Sequence, residues 1–289
     1  ISALKAKLEQ AEYAGKLPKV VIPVHMCGQS CQMQEIAELA RRYNFSIIED
    51  ASHAIGGYYQ NQPVGNCQYS DITVFSFHPV KIITTTEGGM AVTNSFDLAD
   101  KMALLRSHGI TRDTRYMTQD SDGPWYYKQI DLGYNYRMTD IQAALGLNQL
   151  RRLDKFVSRR QELAKRYDRL LADLPLITPW QHPDTCSAWH LYVIRLKLEE
   201  MVSTRGQIFA YFREKGIGVN VHYIPVHTQP YFQSMAQNAE RHAQNPSIYP
   251  EAEKYYQEVI TLPLFPGMTE EEQDRVVGVI KDLLPTDYT

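Results

Sequence analysis

At 289 residues, 44% hydrophobic and 22% charged, the sequence has the composition of an ordered globular protein with room for one large or two moderate domains. Thirty Lys and Arg against thirty-three Asp and Glu leave a formal charge of -3, which excludes a broad electrostatic footprint for nucleic acid or an anionic membrane. No stretch approaches the roughly 20 apolar residues of a membrane span, and the opening Ile1-Ser2-Ala3-Leu4-Lys5 lacks an apolar leader core, so a cytoplasmic protein is expected. The four cysteines, Cys27, Cys31, Cys67 and Cys186, form no C-x-x-C pair and read as reduced, mostly packed thiols.

The sequence begins without a methionine, inside an amphipathic helix that sets Leu4, Leu8 and Ala11 on one side, and reads as a fragment or a processed chain. Residues 19–24 predict a strand, and the spacing of Met33, Ile36, Ala37, Leu39 and Ala40 predicts a helix over 33–43. A strand over 46–49 follows at once, completing a βαβ unit and implying a parallel sheet. The turn Asn61-Gln62-Pro63 precedes a β-branched and aromatic strand over 72–77, and 88–93 reads as a fourth strand before a helix over 96–107. From 111 to 135 the pattern dissolves into a long polar and aromatic loop, of a kind that is usually functional or interfacial. Thr139 then caps a helix that runs toward Leu171 with a bend.

Beyond it the sequence predicts a strand over 188–198, a helix over 203–215, the turn Gly216-Ile217-Gly218 and a strand over 219–223. A short strand over 260–264 leads to a last helix reaching about Leu284, opened by a capping box of Thr269 and Glu272. The expected organisation is a partial large cofactor-binding domain over 1–150 and a small α+β domain over 151–289 with its linking helix.

Two strand ends carry the chemistry. Phe45-Ser46-Ile47-Ile48 ends in Glu49-Asp50, and Phe75-Ser76-Phe77 releases into His78-Pro79-Val80-Lys81, where Pro79 stops the strand. In an open α/β sheet ligands sit at the carboxyl ends of strands, so Asp50, Ser76 and Lys81 fall near one edge. A lysine amine can form a Schiff base with the aldehyde of pyridoxal phosphate. A carboxylate can keep the pyridine nitrogen protonated, and hydroxyl or amide donors can hold the phosphate.

With Glu49-Asp50-Ala51-Ser52-His53-Ala54, the run from Phe75 to Lys81, Glu87-Gly88-Gly89 and Gly133-Tyr134-Asn135-Tyr136-Arg137-Met138, the sequence resembles the DegT/StrS sugar-nucleotide aminotransferases, pyridoxal phosphate enzymes of fold type I. The resemblance implies an α/β fold with a mainly parallel large-domain sheet. It implies Lys81 as the Schiff-base lysine, Asp50 on the pyridine nitrogen, His53 near the ring oxygen and Ser76 on the phosphate. Asn135 would reach the phosphate in a neighbouring subunit, which implies a homodimer with shared sites. His222-Tyr223 with Pro225 and His227 resembles the substrate-side loop. Ser52-His53-Ala54, Ile82-Ile83-Thr84-Thr85 and Arg106-Ser107-His108-Gly109-Ile110 look most like the pseudaminic acid branch. That branch implies amination at C4 of a UDP-linked 4-keto-6-deoxy-N-acetylhexosamine, with L-glutamate as donor.

The family pattern also carries a phosphate-binding helix start and a ring-stacking aromatic ahead of the position matched by Ile1. That motivates a second reading, a module with binding or oligomerisation surfaces only. A cofactor-dependent sugar dehydratase is a third; its relatives replace the lysine by histidine, and Lys81 argues against it. No G-x-G-x-x-G follows the first strand, which disfavours a nicotinamide enzyme. Asp50 alone could be a turn former, His53 and His78 satisfied structural histidines, Asn135 a left-handed turn residue and Arg137 a loop pin. His222 and His227 have no carboxylate or cysteine at metal-ligand spacing.

Overall fold

The computed structural model describes residues 1–117, 122–238 and 249–283. They divide into two units, Ile1–Lys155 with Pro183–Ala188, and Phe156–His182 with Trp189–Thr289. In the first unit, helix α1 (Ser2–Tyr13) precedes β1 (Val20–Val21), and α2 (Met33–Tyr43) leads into β2 (Ser46–Asp50). Strands β3 (Ile72–Ser76) and β4 (Gly89–Val92) follow, then α3 (Phe96–Arg106) and α4 (Asp140–Leu150).

The sheet order is β1-β2-β3-β4, with β1, β2 and β3 parallel and β4 antiparallel to β3. α2 buries Met33, Ile36, Ala37 and Tyr43, one stripe of an amphipathic helix, against Leu8, Phe45 and Ile47. Asn44, at φ 56°, ends the helix in the left-handed conformation that asparagine tolerates, and turns the chain into β2. A small three-stranded sheet flanks this unit: Tyr58–Tyr59 pairs with Gln62–Pro63 through a left-handed Gln60-Asn61 turn, and with Thr185–Cys186.

The second unit holds most of α5 (Leu153–Leu170), and β5 (Leu176–Ile177), β6 (Tyr192–Leu196), α6 (Arg205–Glu214), α7 (Pro230–Asn238), α8 (Pro250–Glu258), β7 (Val259–Leu262) and α9 (Glu270–Lys281). Its sheet, β7-β6-β5, is antiparallel. Leu163, Tyr167, Ile194, Phe212, Ile260 and Val276 share its core. Arg160 is buried among them. Its Nη1 donates to the carbonyls of Trp189, His190 and Leu264 at 3.1, 3.2 and 2.9 Å, so one guanidinium ties α5 to two distant segments.

Several elements differ from the sequence expectation. The strand predicted over 19–24 pairs only at Val20 and Val21, with a single further bridge from Val24 to Asp50. Pro23 has no N–H for the ladder, which interrupts it. The long helix breaks between Leu150 and Leu153. The strand predicted over 188–198 is confined to Tyr192–Leu196, and 219–223 makes one bridge, Asn220 to Thr261, in place of a strand. α6 is capped by Thr204 with Gln207, a capping box not read from the sequence. The expected N-cap at Thr139 is formed, and the structure adds a capping box with Gln142 there; the expected box of Thr269 with Glu272 is formed. The last helix ends at Lys281, short of the expected end at about Leu284; Leu284 itself and part of the 111–135 loop lie outside the described residues.

Alternation along β2 buries Ile47 and Glu49 on the α2 face and leaves Asp50 on the other. Glu49 is 5% exposed, and His25, in the segment after β1, is fully buried. His25 Nε2 lies 2.7 Å from Glu49 Oε2, while the backbone N–H of Cys31 donates to His25 Nδ1 at 3.1 Å. Because Nδ1 accepts, the imidazole proton sits on Nε2 and points at the carboxylate. Thr73 donates to the other carboxylate oxygen at 3.0 Å, and Ser70 also donates to it. Burial alone would push the Glu49 carboxyl up; the bonds from His25, Ser70 and Thr73 outweigh it and hold the group below its ordinary range.

Thr269→Ala removes the N-cap of α9 and is expected to cost about 1 kcal/mol in urea unfolding. Glu49→Gln is expected to cost on the order of 1–3 kcal/mol at neutral pH. With a depressed folded-state pKa, the Glu49 contribution is present above the ordinary glutamate value of 4.5 and is lost as pH falls through the lower folded value. Urea midpoints of wild type and Glu49→Gln should therefore stay apart at neutral pH and converge in acid.

Candidate active site

The parallel register of β2 on β3 sets Asp50 beside Val74, so both strands end at one edge. Asp50 is half-buried, and its Oδ1 accepts the Ser52 N–H at 3.0 Å, an Asx turn that swings the chain away from the strand end. Its backbone is held on both sides: Asp50 N–H donates to Pro23 O at 2.9 Å, and its carbonyl accepts His25 N–H at 3.0 Å. The buried carboxylate at this strand end is Glu49, not the half-buried Asp50 beside it.

Ser76, the last residue of β3, pairs with Gly89 across the antiparallel ladder. A Cβ at Gly89 would stand 2.8 Å from the Phe75 carbonyl oxygen, so the close approach of β4 to β3 here requires glycine. The chain then turns at 78–81, with Lys81 N–H donating to His78 O at 3.0 Å. Lys81 is half-buried. Burial holds its ammonium below the ordinary lysine range, opposed by the negative charge of Asp50. The structure thus brings Asp50 and Lys81 into electrostatic reach of each other.

His53, also half-buried, accepts the Cys27 backbone N–H on Nδ1 at 3.3 Å. With Nδ1 accepting, the ring carries a proton on Nε2, on the side away from the 26–28 turn. Cys27 holds φ at 63° to aim that N–H, and burial pushes its thiol up to about 12. That makes Cys27 a packing residue rather than a nucleophile. His78 is exposed, with Nε2 3.8 Å from Glu87.

Asn135 stands apart on its own loop, bridged to Ser107, with its amide oxygen accepting from Arg137 Nε and Nη2 at 3.2 and 3.1 Å. Arg137 pins the loop by hydrogen bonds to Asn135 and His108, and makes no ion pair among the described residues. His222, Tyr223 and His227 belong to the second unit. His222 Nδ1 lies 2.8 Å from Thr261 Oγ1, Tyr223 is exposed, and His227 Nε2 lies 2.9 Å from Glu253 Oε1 with its ring against Tyr249.

The donor set suits pyridoxal phosphate: one lysine whose uncharged amine is favoured by burial, a carboxylate in its electrostatic reach, a serine hydroxyl at the same edge and an imidazole donor nearby. Sequence reasoning missed His25 and its bond to Glu49, although a histidine just past an apolar strand and a glutamate on the inward period of another were both visible.

Comparison with known proteins places these residues in context. The family model described as the DegT/DnrJ/EryC1/StrS aminotransferase family matches residues 2–281. The spore coat polysaccharide biosynthesis protein SpsC of Bacillus subtilis is 38% identical over 268 residues, 92% of this chain and 67% of that protein. The structure of Helicobacter pylori PseC, an aminotransferase involved in the biosynthesis of pseudoaminic acid, superposes with a TM-score of 0.81 at 31% identity, over 93% of this chain and 67% of PseC. The putative sugar aminotransferase Spr1654 of Streptococcus pneumoniae, solved in PLP and PMP forms, gives TM-scores of 0.77 and 0.79 at 28% and 29% identity, over 93% of this chain and 70% and 69% of Spr1654. With 280 of its residues inside the family model and the α/β architecture of these aminotransferases, the chain belongs to the DegT/DnrJ/EryC1/StrS aminotransferase family.

Proposed function

We propose that this chain is a pyridoxal phosphate-dependent aminotransferase that moves the amino group of L-glutamate to C4 of a UDP-linked 4-keto-6-deoxy-N-acetylhexosamine, in a pathway of the pseudaminic acid type. The observation that carries the reading is the half-buried Lys81, held toward its free amine at the sheet edge where Asp50 ends the adjacent parallel strand. The likeness to PseC supports the substrate class.

When bound, pyridoxal phosphate supplies an electron sink that acidifies the α-carbon of an amino acid. Lys81 would hold the cofactor and, once freed, would take the α-hydrogen of glutamate as a proton and later deliver one to C4 of the sugar. Asp50 would keep the pyridine nitrogen protonated by its charge. His53 would donate from Nε2 to the ring oxygen, and Ser76 would donate to the phosphate. His222, Tyr223 and His227, in the 151–289 domain expected from the sequence, are the sugar-nucleotide-binding residues of this reading.

The same reading makes the enzyme a homodimer in which Asn135 reaches the partner's cofactor phosphate. Its support is apolar surface: α4 buries none of its side chains, Ile141 is 84% exposed and Leu132 is 82% exposed. The reading places the enzyme in the cytoplasm, in keeping with cysteines that stand as thiols. Among the described residues, no helix is long and apolar enough to cross a membrane.

Incubation of wild type with the keto-sugar and ¹⁵N-glutamate should place ¹⁵N on the sugar. Lys81→Ala should lose the visible absorption of lysine-bound pyridoxal, and turnover should fall by orders of magnitude. Retention of both would remove Lys81 from its role; keto-sugar consumed without nitrogen transfer would assign dehydration instead. Ile141→Lys should shift sedimentation toward monomer at least tenfold in dissociation constant, and a wild type that sediments as monomer at all concentrations would refute the shared site.

A further inference from the structure

We propose that His25 and Glu49 are positioning residues for the candidate site, locking the 24–31 segment so that this segment in turn fixes the Asp50 backbone and the His53 ring. The inference rests on the reading of Asp50 and His53 as cofactor-facing groups. Neither His25 nor Glu49 touches that site itself, since Glu49 faces the α2 side of β2, opposite to Asp50.

The pair uses its polar atoms fully. One carboxylate oxygen of Glu49 takes the His25 Nε2–H at 2.7 Å; the other takes the hydroxyls of Ser70 and Thr73, the latter at 3.0 Å. On its far side the imidazole accepts the Cys31 N–H at 3.1 Å. A planar ring satisfies an acceptor on one edge and a backbone donor on the other in one orientation only. His25 therefore sets where the segment that carries Cys31 lies against β2. A buried pair of this kind contributes little net stability over apolar side chains of the same volume, and its best-attested use is to specify one arrangement among several.

Two links run from the locked segment to the site. His25 N–H and Pro23 O close on the carbonyl and N–H of Asp50, holding its backbone on both sides. Cys27 N–H donates to His53 Nδ1 at 3.3 Å, from a left-handed backbone that an L-residue adopts only when its surroundings hold it there. That bond selects the His53 tautomer that carries its proton on Nε2. Without the His25 anchor the segment can relax Cys27 toward ordinary dihedrals and lose the bond. His53 would then lose the backbone donor that selects this tautomer.

The first readout of the test needs no cofactor. ¹⁵N spectra of histidine-labelled, cofactor-free chain report the tautomer of each ring, with His53 assigned by its loss in His53→Gln. The wild type should show His53 with separated Nδ1 and Nε2 resonances, the protonated one being Nε2. In Glu49→Gln, and in the apolar double variant His25→Leu with Glu49→Leu, the two resonances should move toward the tautomer average while far-ultraviolet circular dichroism is unchanged. The dissociation constant for added pyridoxal phosphate should rise about tenfold. A folded variant of either kind with the wild-type His53 spectrum would overturn the proposal. So would loss of folding in both variants, which would assign the pair to stability alone. If wild type fails to bind pyridoxal phosphate, the proposed function falls, while the His53 spectra still decide the role of the pair.

Discussion

Two acids stand next to each other on β2, and the two-residue period of a strand sends them to opposite faces. Glu49 goes inward, where a carboxylate is tolerable only because His25, Ser70 and Thr73 all donate to it. Asp50 goes to the other face at the carboxyl end of a parallel strand, where an open α/β sheet presents its chemistry. A slip of one residue in the pairing of β2 with β3 would exchange the two, placing the stabilised carboxylate at the edge and the half-solvated one in the core. The register that holds Ile48 opposite Ile72 is therefore the constraint on which Asp50, Ser76 and the turn to Lys81 all depend.

Much of this was readable from local pattern. The apolar stripe of α2, the β-branched run of β3, the N-cap at Thr139 and the capping box at Thr269 are short-range signals, and they coincide with the elements observed. Asp50 and Lys81 were legible as strand-end residues because each follows its own apolar run. The failures share a cause. β1 and the 219–223 segment have strand-like composition, but pairing is a property of two segments, and Pro23 and the single Asn220 bridge decide it. The antiparallel course of β4 and the bond between His25 and Glu49 join residues many positions apart, so neither leaves a mark in any window of the sequence.

The site also shows how backbone conformation carries chemistry. Cys27 sits left-handed and donates its N–H to His53, and Gly89 lets β4 approach the Phe75 carbonyl closely enough to pair with Ser76. In both cases the side chain expected to face a ligand is aimed by a main-chain group of a neighbouring segment. Preorganisation of this kind lowers the cost of binding because the donors need not be ordered afterwards.

Arg160 has a corollary for how the second unit is made. Its three carbonyl partners lie 29, 30 and 104 positions further along the chain. During synthesis the guanidinium emerges long before Leu264, and until that carbonyl arrives one of its three acceptors does not yet exist. Helix α5 can form early on local propensity, but its final seat must wait for β7 and the turn after it. Closure of this unit is thus a late, cooperative event that couples the first helix of the unit to its last strand, the behaviour expected where non-local contacts dominate.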